Sequence, residues 1–570
     1  MNASTLRLTV LKAHRRAVGL LIFTTLCAFW VLLSPFAADH RVMDALAGIL
    51  AVAFIPLCLE RLALQPGRAA GAVWTAITLL MAVVAVHGFA RFIAPLPEDA
   101  VLLVFLQVIA LEVAFAAMLL HLLKLRAART GYGSEPAALG DIARFLFVYG
   151  GYFDRLRYPD FKRRMFLPLA RQIMFVNHLV RWLPSLAPHV RRLTGQSSLR
   201  QALDIAVLYF RHDLDATAYY MFERYRPGHA AETAGYLVRY ETKNGIYYAL
   251  NHLFQRRRPD GRSWLGDKIR FADLCAELGV RCVPILARIE RGEVLWTEGV
   301  DRRLAADFFV KRRIGKGAYG AGLYHHLPGE RHRTPSGAEH STEAILADLA
   351  ARSKQEQKPR EAGEGTLLPA QERAANKGAL LLQPRLRNHP EIADLAEDSL
   401  MVMRVITCLD VDRAEGEAGV VVGYAFLRIL AMLEPRWPTK VEFGAPVDLK
   451  TGRLGLMIGD KGEMATRRFA QHPILPGIAI EGRVVPHFQE ILHEAKAAHR
   501  GCGDRFLVGW DIAITPDGPL IVEGNAHPDI EFPQHVHGKP IGDSPIGPII
   551  HRHLMRLERA KPLFDLARKL

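Results

Sequence analysis

The apolar residues of this chain are concentrated near its start, in four long stretches separated by only a few residues. Each stretch is close to the roughly 20 residues that cross a hydrocarbon core as a helix. The stretches are 17–38, 42–59, 69–89 and 100–123. The pattern predicts an all-α, four-helix transmembrane domain over residues 1–130. A cleaved signal peptide is the alternative for the first stretch, but we prefer an uncleaved anchor because its apolar core is long.

Lysine and arginine predict the orientation of this domain. They are concentrated in the amino-terminal tail, in the second loop and after the fourth stretch, which all lie on one side. Because such residues favour the cytoplasmic side, both ends of the domain are predicted there, in a multi-pass inner-membrane protein with its main domain in the cytoplasm. Glu112 lies within the fourth stretch, where a carboxyl group serves either a proton or ion pathway or a hydrogen-bonded helix contact.

Three further regions follow the apolar domain. Residues 131–196 mix apolar and basic positions, which predicts an amphipathic helical segment for the membrane surface or for packing against the main domain. Residues 197–262 have a helical pattern rich in aromatic side chains. From 263 to 560, short β-like runs alternate with helices and predict an α/β domain. Within it, the Gly-, Pro- and charge-rich segment 329–378 predicts a mobile insertion around one short helix.

The composition gives a formal net charge of +15 and six cysteines. The positive residues follow the predicted membrane topology and are otherwise scattered, without interleaved aromatic residues, so we expect no nucleic-acid partner. Anionic lipid headgroups or an anionic substrate explain the same charge. The cysteines have no paired CxxC spacing, which argues against a disulfide framework or a zinc site and fits a reducing compartment.

Near the end of the chain, residues 509–525 predict a β-hairpin that presents oxygen ligands. Asp511 starts an alternating strand, a Pro-Asp-Gly turn follows, and a second strand leads to Glu523. The two arms can bring Asp511 opposite Glu523, while Glu523 and Asn525 share one face of their strand. Such oxygens are typical of Mg²⁺ bound together with nucleotide phosphates, although an exposed hairpin with acids on its solvent side has the same pattern.

A glycine-rich segment lies between a predicted strand at 307–311 and a return strand at 323–328. Its glycines are Gly315, Gly317 and Gly320. No helix follows them, so the GxGxxG spacing does not predict a dinucleotide fold. A glycine turn between antiparallel strands predicts a cover over phosphates with Lys311 as a point charge, and an ordinary hairpin is the alternative. Lys268 opens a predicted helix, where a cation opposes the helix dipole and suggests a bound anion.

Two predicted apolar strands carry polar residues, one at its end and the other in its interior. The strand at 379–386 ends in the sequence Gln-Pro-Arg-Leu, and Arg404 lies inside the apolar run 400–407. An unpaired buried charge is costly, so Arg404 requires either a structural carboxylate or a phosphate beside it.

These elements, in this order, resemble the ATP-grasp superfamily, and most closely the sugar-transfer-associated ATP-grasp proteins, which are related to α-L-glutamate ligases. The resemblance covers roughly residues 197–553. Its most specific elements are residues 267–268, 309–320, 382–386, 404–407, 445–452 and 509–525. It implies an α/β fold, in which two α+β lobes close on ATP.

The resemblance also implies roles for individual residues. Lys268 and Lys311 would bind phosphates beneath the glycine cover, and Arg404 together with Lys311 would act on the transferring phosphate. The implied adenine hinge is Gln383, Pro384, Arg385 and Leu386, with Glu391 as the ribose partner. The implied magnesium ligands are Asp511, Glu523 and Asn525. ATP and Mg²⁺ are therefore the expected cofactors.

The activity that the resemblance implies is ligation. ATP would activate a small-molecule carboxylate as an acyl-phosphate, which an amine or similar nucleophile then attacks, in bacterial surface-polysaccharide or envelope synthesis with sugar-transferase or glycan-assembly partners. Residues 438–444 depart from the family pattern near the expected acceptor site. That departure favours the alternative, a non-catalytic nucleotide-binding membrane component that regulates or scaffolds a glycan machine. A transporter is a third interpretation, based on the four apolar stretches and Glu112.

Overall fold

A computed structural model describes the carboxyl-terminal three quarters of the chain with several gaps. The described residues are 161–212, 214–226, 235–238, 242, 247, 250–251, 254, 265–314, 321–354, 378–396, 398–413, 419–431 and 441–559. The four predicted transmembrane stretches, Glu112 and the glycine loop at 315–320 lie outside them. None of the helices in the described part is both long and apolar enough to cross a bilayer. The described residues divide into two compact units, one reaching Tyr219 and the other starting at Tyr220.

The described residues of the first unit include two long helices that pack against each other. The helices before the sheets are α1 (Phe161–Thr194), α2 (Ser198–His212) and α3 (Ala216–Met221). Gly195 ends α1 with a φ of 77°, in the left-handed region that glycine tolerates. The ring of Phe175 stacks on that of Tyr209 at 4.2 Å, so α1 and α2 form an antiparallel hairpin. The boundary predicted between residues 196 and 197 lies in the turn between these helices, whereas the two compact units divide after Tyr219.

The second unit contains a seven-stranded sheet with a helix before it and a helix against it. These elements are α4 (Lys268–Glu277), β1 (Ala287–Glu290), β2 (Glu293–Trp296), β3 (Phe308–Arg312), β4 (Gly322–Leu327), β5 (Arg331–Arg333), β6 (Glu339–Ser341), α5 (Thr342–Lys354) and β7 (Leu380–Pro384). The strand order is β2-β1-β7-β3-β4-β5-β6, with antiparallel pairs throughout. As the sequence predicts, β4 is a return strand that pairs with β3.

Alternation along β3 and β7 gives this sheet two different faces. Phe308, Val310 and Leu382 pack with Ile345 and Leu349 of α5 in one apolar core. Successive side chains of a strand point to opposite faces, so the neighbours of these residues face away from α5. The face that packs against α5, called the back of the sheet, is therefore apolar. The opposite face, called the front, is available for polar side chains.

The prediction of a mobile insertion over 329–378 needs correction for its first half. Residues 329–354 provide β5, β6 and α5, and α5 contributes to the core of the sheet. The predicted short helix is confirmed as part of α5. Polar composition misled the prediction because β5 and β6 are short, exposed edge strands, whose sequences lack apolar alternation. Residues 355–377 lie outside the described part of the chain.

The second unit also contains a six-stranded antiparallel sheet. Its elements are β8 (Val402–Leu409), β9 (Val420–Ala431), β10 (Val441–Pro446), β11 (Ile458–Gly459), α6 (Phe488–Gly501), β12 (Leu507–Thr515), β13 (Gly518–Asn525), α7 (Glu531–His537) and α8 (Gly547–Arg559), with 3₁₀ turns at Ala393–Leu395, Gly462–Ala465 and Ile541–Asp543. The strand order is β11-β10-β9-β8-β12-β13. Met403, Val405 and Trp510 share a core with Ile491 and Ala495 of α6.

A β-bulge shifts the pairing register of the hairpin formed by β12 and β13. From the turn, pairing runs regularly to Ile512 opposite Ile521, but the next pair is Asp511 opposite Glu523, so Val522 is the extra residue. An extra residue on one strand reverses the alternation beyond it. Ile521 therefore joins the core, while Glu523 shares the opposite face with Asp511.

Two chain segments connect the sheets. After α4, Cys282 forms a parallel bridge with Ile521 of β13, and the chain then enters β1. After β7, the backbone N–H of His389 donates to the carbonyl oxygen of Ile514 on β12, at 2.8 Å. These contacts hold the end of β7 beside the acidic hairpin.

Candidate functional site

The acidic hairpin places three oxygen-bearing side chains on the face away from α6. Asp511 lies opposite Glu523, and Asn525 lies opposite Gly509, as the hairpin pattern predicts. The Nδ2 group of Asn525 donates to Glu523 Oε1 at 3.2 Å, which leaves the Asn525 amide oxygen free of that bond. Asp511 is 3% exposed, so the acids are inside the protein and not on the solvent side of a hairpin. The alternative of an exposed hairpin is therefore wrong.

Two lysines stand near these acids. Lys311 lies on the front of the seven-stranded sheet and is 9% exposed. Burial, and then the neighbouring ammonium group of Lys268, lower the pKa of Lys311 to about 8, against the attraction of Glu523. Burial also lowers the pKa of Lys268, although Glu523 and Asp267 act in the opposite direction. A buried cation and a partly buried one close to each other are costly, and an additional anion would relieve that cost.

Glu523 responds electrostatically to both lysines. Burial alone would raise the pKa of Glu523, but Lys268, the hydrogen bond from Asn525, Arg404 and Lys311 together outweigh burial and lower the pKa. Glu523 belongs to the six-stranded sheet, whereas Lys311 belongs to the seven-stranded sheet. The site is therefore assembled from both sheets.

The start of α4 is fixed by an ion pair. The carboxylate of Asp267 accepts from the backbone N–H groups of Ile269 and Arg270, as an N-cap does. The same carboxylate accepts from Arg313 through Nε at 3.0 Å and Nη2 at 2.9 Å. Because Asp267 also bridges Ile314, α4 starts beside the residue that leads into the glycine loop. Lys268 therefore lies next to the residue where that loop begins. Gly315, Gly317 and Gly320 themselves lie outside the described residues.

Arg404 is paired with a carboxylate, one of the two partners that the sequence left open. Its Nε and Nη2 groups donate to the two oxygens of Asp511 at 2.5 and 2.9 Å. The two residues lie directly opposite each other on β8 and β12. Burial, and to a lesser degree Glu523, raise the pKa of Asp511 to about 6, against the effect of Arg404 and Arg428. That Arg404 also contacts a transferring phosphate stays a prediction.

The sequence analysis missed two residues of this network, Arg428 and Glu442. Arg428 donates to Glu442 through Nε at 2.5 Å and Nη2 at 3.0 Å, and its Nη1 lies 3.9 Å from Asp511 Oδ2. Glu442 belongs to the segment 438–444 that departs from the family pattern, and it lies on β10. A signal was present, because Arg428 interrupts an apolar strand just as Arg404 does.

The predicted adenine hinge follows β7. Gln383 is buried, and its Nε2 group donates to the carbonyl oxygen of Val283 at 3.3 Å. The Arg385 side chain donates to Asp307 Oδ2 at 2.7 Å and also to Asp398, while its backbone N–H bonds Asp307 O. Pro384 ends β7 and Leu386 is half-buried after it. Adenine contacts by these residues stay a prediction.

Glu391, the predicted ribose partner, is exposed. Its backbone carbonyl accepts from Arg483 Nη2 at 2.9 Å, so its main chain is fixed while its carboxylate faces the solvent. Contact with ribose stays a prediction as well.

The donor set fits a magnesium nucleotide. Mg²⁺ prefers hard oxygen ligands and is usually bound by one or two carboxylates together with phosphate oxygens. Asp511 and Glu523 provide two carboxylates, Asn525 an amide oxygen, and the lysines provide positive charge for phosphates. Among the residues that the structure describes, no group of three or more His, Cys, Asp or Glu side chains is arranged to hold a metal ion.

The site combines Lys311 of one antiparallel sheet and Lys268 at the start of α4 with acids of the other sheet, as the resemblance to ATP-grasp proteins implies. A model of the family described as "sugar-transfer associated ATP-grasp" matches residues 255–543, just over half of the chain. The chain belongs to this family, and the predicted ATP-grasp fold is confirmed.

Solved structures with similarity to this chain have low sequence identity. They include the VanG D-Ala:D-Ser ligase from Enterococcus faecalis, with 11% identity and a TM-score of 0.28 over 52% of this chain and 61% of that one. Another is the D-alanine–D-alanine ligase from Bacillus anthracis complexed with ATP, with 8% identity and a TM-score of 0.28 over 52% and 68%. The ADP complex of N5-carboxyaminoimidazole ribonucleotide synthetase matches with 11% identity and a TM-score of 0.26, over 49% of this chain and 52% of that one. No curated protein matches the chain.

Proposed function

We propose that this chain is a membrane-anchored, ATP- and Mg²⁺-dependent ligase that joins a small-molecule carboxylate to an amine or similar nucleophile. The observation that carries the proposal is the juxtaposition of Lys311, which is buried, and Lys268, which is partly buried, with Glu523, which lies opposite Asp511. A ligand that combines phosphates with a divalent cation best balances these two lysines and the acids of the six-stranded sheet.

The residues of the site have separate roles in this proposal. Lys268 and Lys311 bind and orient phosphate oxygens, and the glycine loop covers them. Asp511, Glu523 and Asn525 would hold Mg²⁺, whose charge neutralises phosphate oxygens and lowers the barrier to phosphoryl transfer. Arg404 holds the Asp511 carboxylate in place through two hydrogen bonds, and Arg428 Nη1 lies 3.9 Å from the same carboxylate. The hinge from Gln383 to Leu386 would bind adenine, and Glu391 the ribose.

The cellular setting is part of the same proposal. The four apolar stretches and the positive residues around them support a multi-pass inner-membrane protein with its ATP-grasp domain in the cytoplasm. The description of its family as sugar-transfer associated supports a role in surface-polysaccharide or envelope synthesis, beside a sugar transferase or another glycan-assembly partner. No nucleic acid takes part.

A second candidate function is nucleotide binding without catalysis, in regulation or scaffolding of a glycan machine. The observation that favours it is the ion pair of Arg404 with Asp511. Both hydrogen bonds of this pair use the guanidinium group that was expected to face a phosphate. The departure at 438–444, where Glu442 binds Arg428, points the same way.

The test is MgATP turnover by the detergent-purified full-length protein with a bacterial metabolite extract. ADP and phosphate release are measured for the wild type, Lys311→Ala and Glu523→Ala. The matched controls are Lys450→Ala and Glu481→Ala, which change exposed residues of the same types. We expect extract-stimulated release, reduced by about 10²- to 10³-fold in the two site variants by analogy with the loss of a group that stabilises a transition state.

Two results would count against this function. Release that survives in both site variants would mean that turnover comes from another source. Tight MgATP binding without turnover across fractionated extracts would support the regulatory function instead.

A further inference from the structure

The helical hairpin of the first unit has an apolar stripe on its outside. Leu199, Leu203 and Val207 follow one another at four-residue spacing on α2 and are exposed, Leu199 by 72%. On α1, Val176 and Val180 repeat the pattern. Residues four apart lie on one side of a helix, so each helix presents a continuous aliphatic stripe.

This stripe is separate from the core of the hairpin. The inward side of α2 is already buried through Ile205, Leu208 and Tyr209. An amphipathic helix needs one apolar face for its core, and α2 has a second one outside. A cluster of exposed aliphatic side chains of this kind marks an interaction surface.

The charge around the stripe identifies the partner. Residues 161–212 contain nine Lys and Arg residues and a single acid, Asp204. Arg200 is exposed within the same helix, and Arg181, Arg191 and Arg192 are exposed on α1. Two copies of one strongly cationic face would repel each other, which disfavours a symmetric dimer through this surface. Aliphatic side chains bordered by arginines match the boundary between anionic headgroups and acyl chains.

We propose that the hairpin α1–α2 lies on the surface of an anionic phospholipid bilayer, with Leu199, Leu203 and Val207 at the headgroup–acyl boundary and the flanking arginines on lipid phosphates. The proposal rests on the membrane location within the proposed function, but not on its nucleotide chemistry. It assigns a lipid-contact surface to the segment that immediately precedes the ATP-grasp unit.

Photocrosslinking of the full-length protein in lipid nanodiscs tests the contact. Leu203→p-benzoylphenylalanine is compared with Leu295→p-benzoylphenylalanine, because Leu295 is a comparably exposed leucine on β2 of the other unit. We expect a lipid adduct, identified by mass spectrometry, at position 203 and background yield at position 295. Crosslinks from position 203 to another part of the chain or to a second copy, or no adduct above background, would overturn the proposal.

The contribution of charge is tested in the same assay. Two lipid compositions are compared, phosphatidylcholine alone and phosphatidylcholine with phosphatidylglycerol. In each, the Leu203 photo-variant is measured with and without the combined substitutions Arg181→Gln, Arg191→Gln and Arg200→Gln. Adduct yield should be higher with the anionic lipid and should fall by up to about five-fold for each arginine removed. Equal yields in all four combinations would overturn the anionic-lipid assignment. Circular dichroism and MgATP binding, which the proposal expects to be unchanged, report whether the arginine variants fold.

ATP turnover is measured on the same preparations, so that the two proposals are judged separately. A lipid adduct in a protein without turnover would leave the lipid surface standing and remove the ligase function. Turnover without an adduct would do the opposite.

Discussion

The cations at the two sheets of the ATP-grasp unit differ in whether ion pairs compensate for the cost of burying their charge. On the six-stranded sheet, Arg404 and Arg428 each form a two-pronged ion pair with a carboxylate of the same sheet. Burial would lower the pKa of Arg428, but Glu442 reverses this and raises it. At the seven-stranded sheet, burial and mutual repulsion leave the pKa of Lys311 lowered, and burial lowers that of Lys268.

This difference separates arginines whose charge the carboxylates of the protein compensate from lysines whose charged form is disfavoured in the folded chain. The protein itself satisfies its arginines, which therefore stabilise the folded state and position Asp511. The lysines are held at an electrostatic cost to the free protein, and a polyanionic ligand would recover that cost on binding. The contrast predicts opposite effects on stability when one member of each set is removed.

The largest expected effect is on the arginine side. Arg404→Met should lower the free energy of unfolding by about 3–5 kcal/mol, because it leaves the buried Asp511 carboxylate without its main partner. Urea denaturation of the nucleotide-free protein, followed by tryptophan fluorescence, measures the change. The double variant Arg404→Met/Asp511→Asn is the control, and it should recover part of the loss because the buried charge is gone. A loss below about 1 kcal/mol would show that Arg404 is held for a ligand instead.

The lysine side should respond with the opposite sign. Lys311→Met should raise the free energy of unfolding of the nucleotide-free protein by roughly 1–3 kcal/mol, since a pKa near 8 reflects a penalty on the charged form. The same variant should bind MgATP about 10- to 100-fold more weakly, as expected for a lost charged hydrogen bond. Lys450→Met, at an exposed position, should change neither quantity. A destabilised Lys311→Met protein would remove the distinction between the two sheets.

A smaller effect is expected from pH. The unfolded chain keeps the Lys311 proton up to its ordinary pKa of 10.5, whereas the folded chain loses it near 8. Between these values the unfolded state binds more protons, so stability should rise with pH by up to about 1.4 kcal/mol per unit. MgATP affinity should fall over the same range.

The Lys311→Met variant isolates this contribution from the other groups that titrate. The difference in unfolding free energy between wild type and variant should be largest below pH 8 and should shrink towards pH 10.5. A difference that is independent of pH would contradict the assignment.

The smallest effect is expected where an ion pair is partly open to solvent. Glu442→Gln removes the partner of Arg428, and both side chains are about one quarter exposed. The variant should lose about 1 kcal/mol of stability or less. MgATP binding, measured by titration calorimetry, should remain within about three-fold of wild type, because Arg404 still holds Asp511. A loss as large as that of Arg404→Met would mean that Arg428 is the main support of Asp511.

Much of the site was predictable because its signals are local. The Pro-Asp-Gly turn and the flanking alternation predicted the hairpin, and the helix predicted to open at Lys268 is α4. Arg404 was recognisable because a charge inside an apolar strand needs a partner. The mobile insertion was predicted wrongly for residues 329–354, because short edge strands have no apolar alternation to read.

The sequence by itself determined the order of the elements, the residue types of the site and its membership of the ATP-grasp family, since these depend on turn chemistry, strand period and motif spacing. Only the tertiary structure decided which residues meet. Regular pairing from the turn would place Asp511 opposite Val522, and the bulge places it opposite Glu523 instead while Ile521 stays in the core. The choice of Asp511 as the partner of Arg404, and the crowding of Lys268 and Lys311 around Glu523, likewise depend on contacts between segments far apart in the chain, which no local pattern encodes.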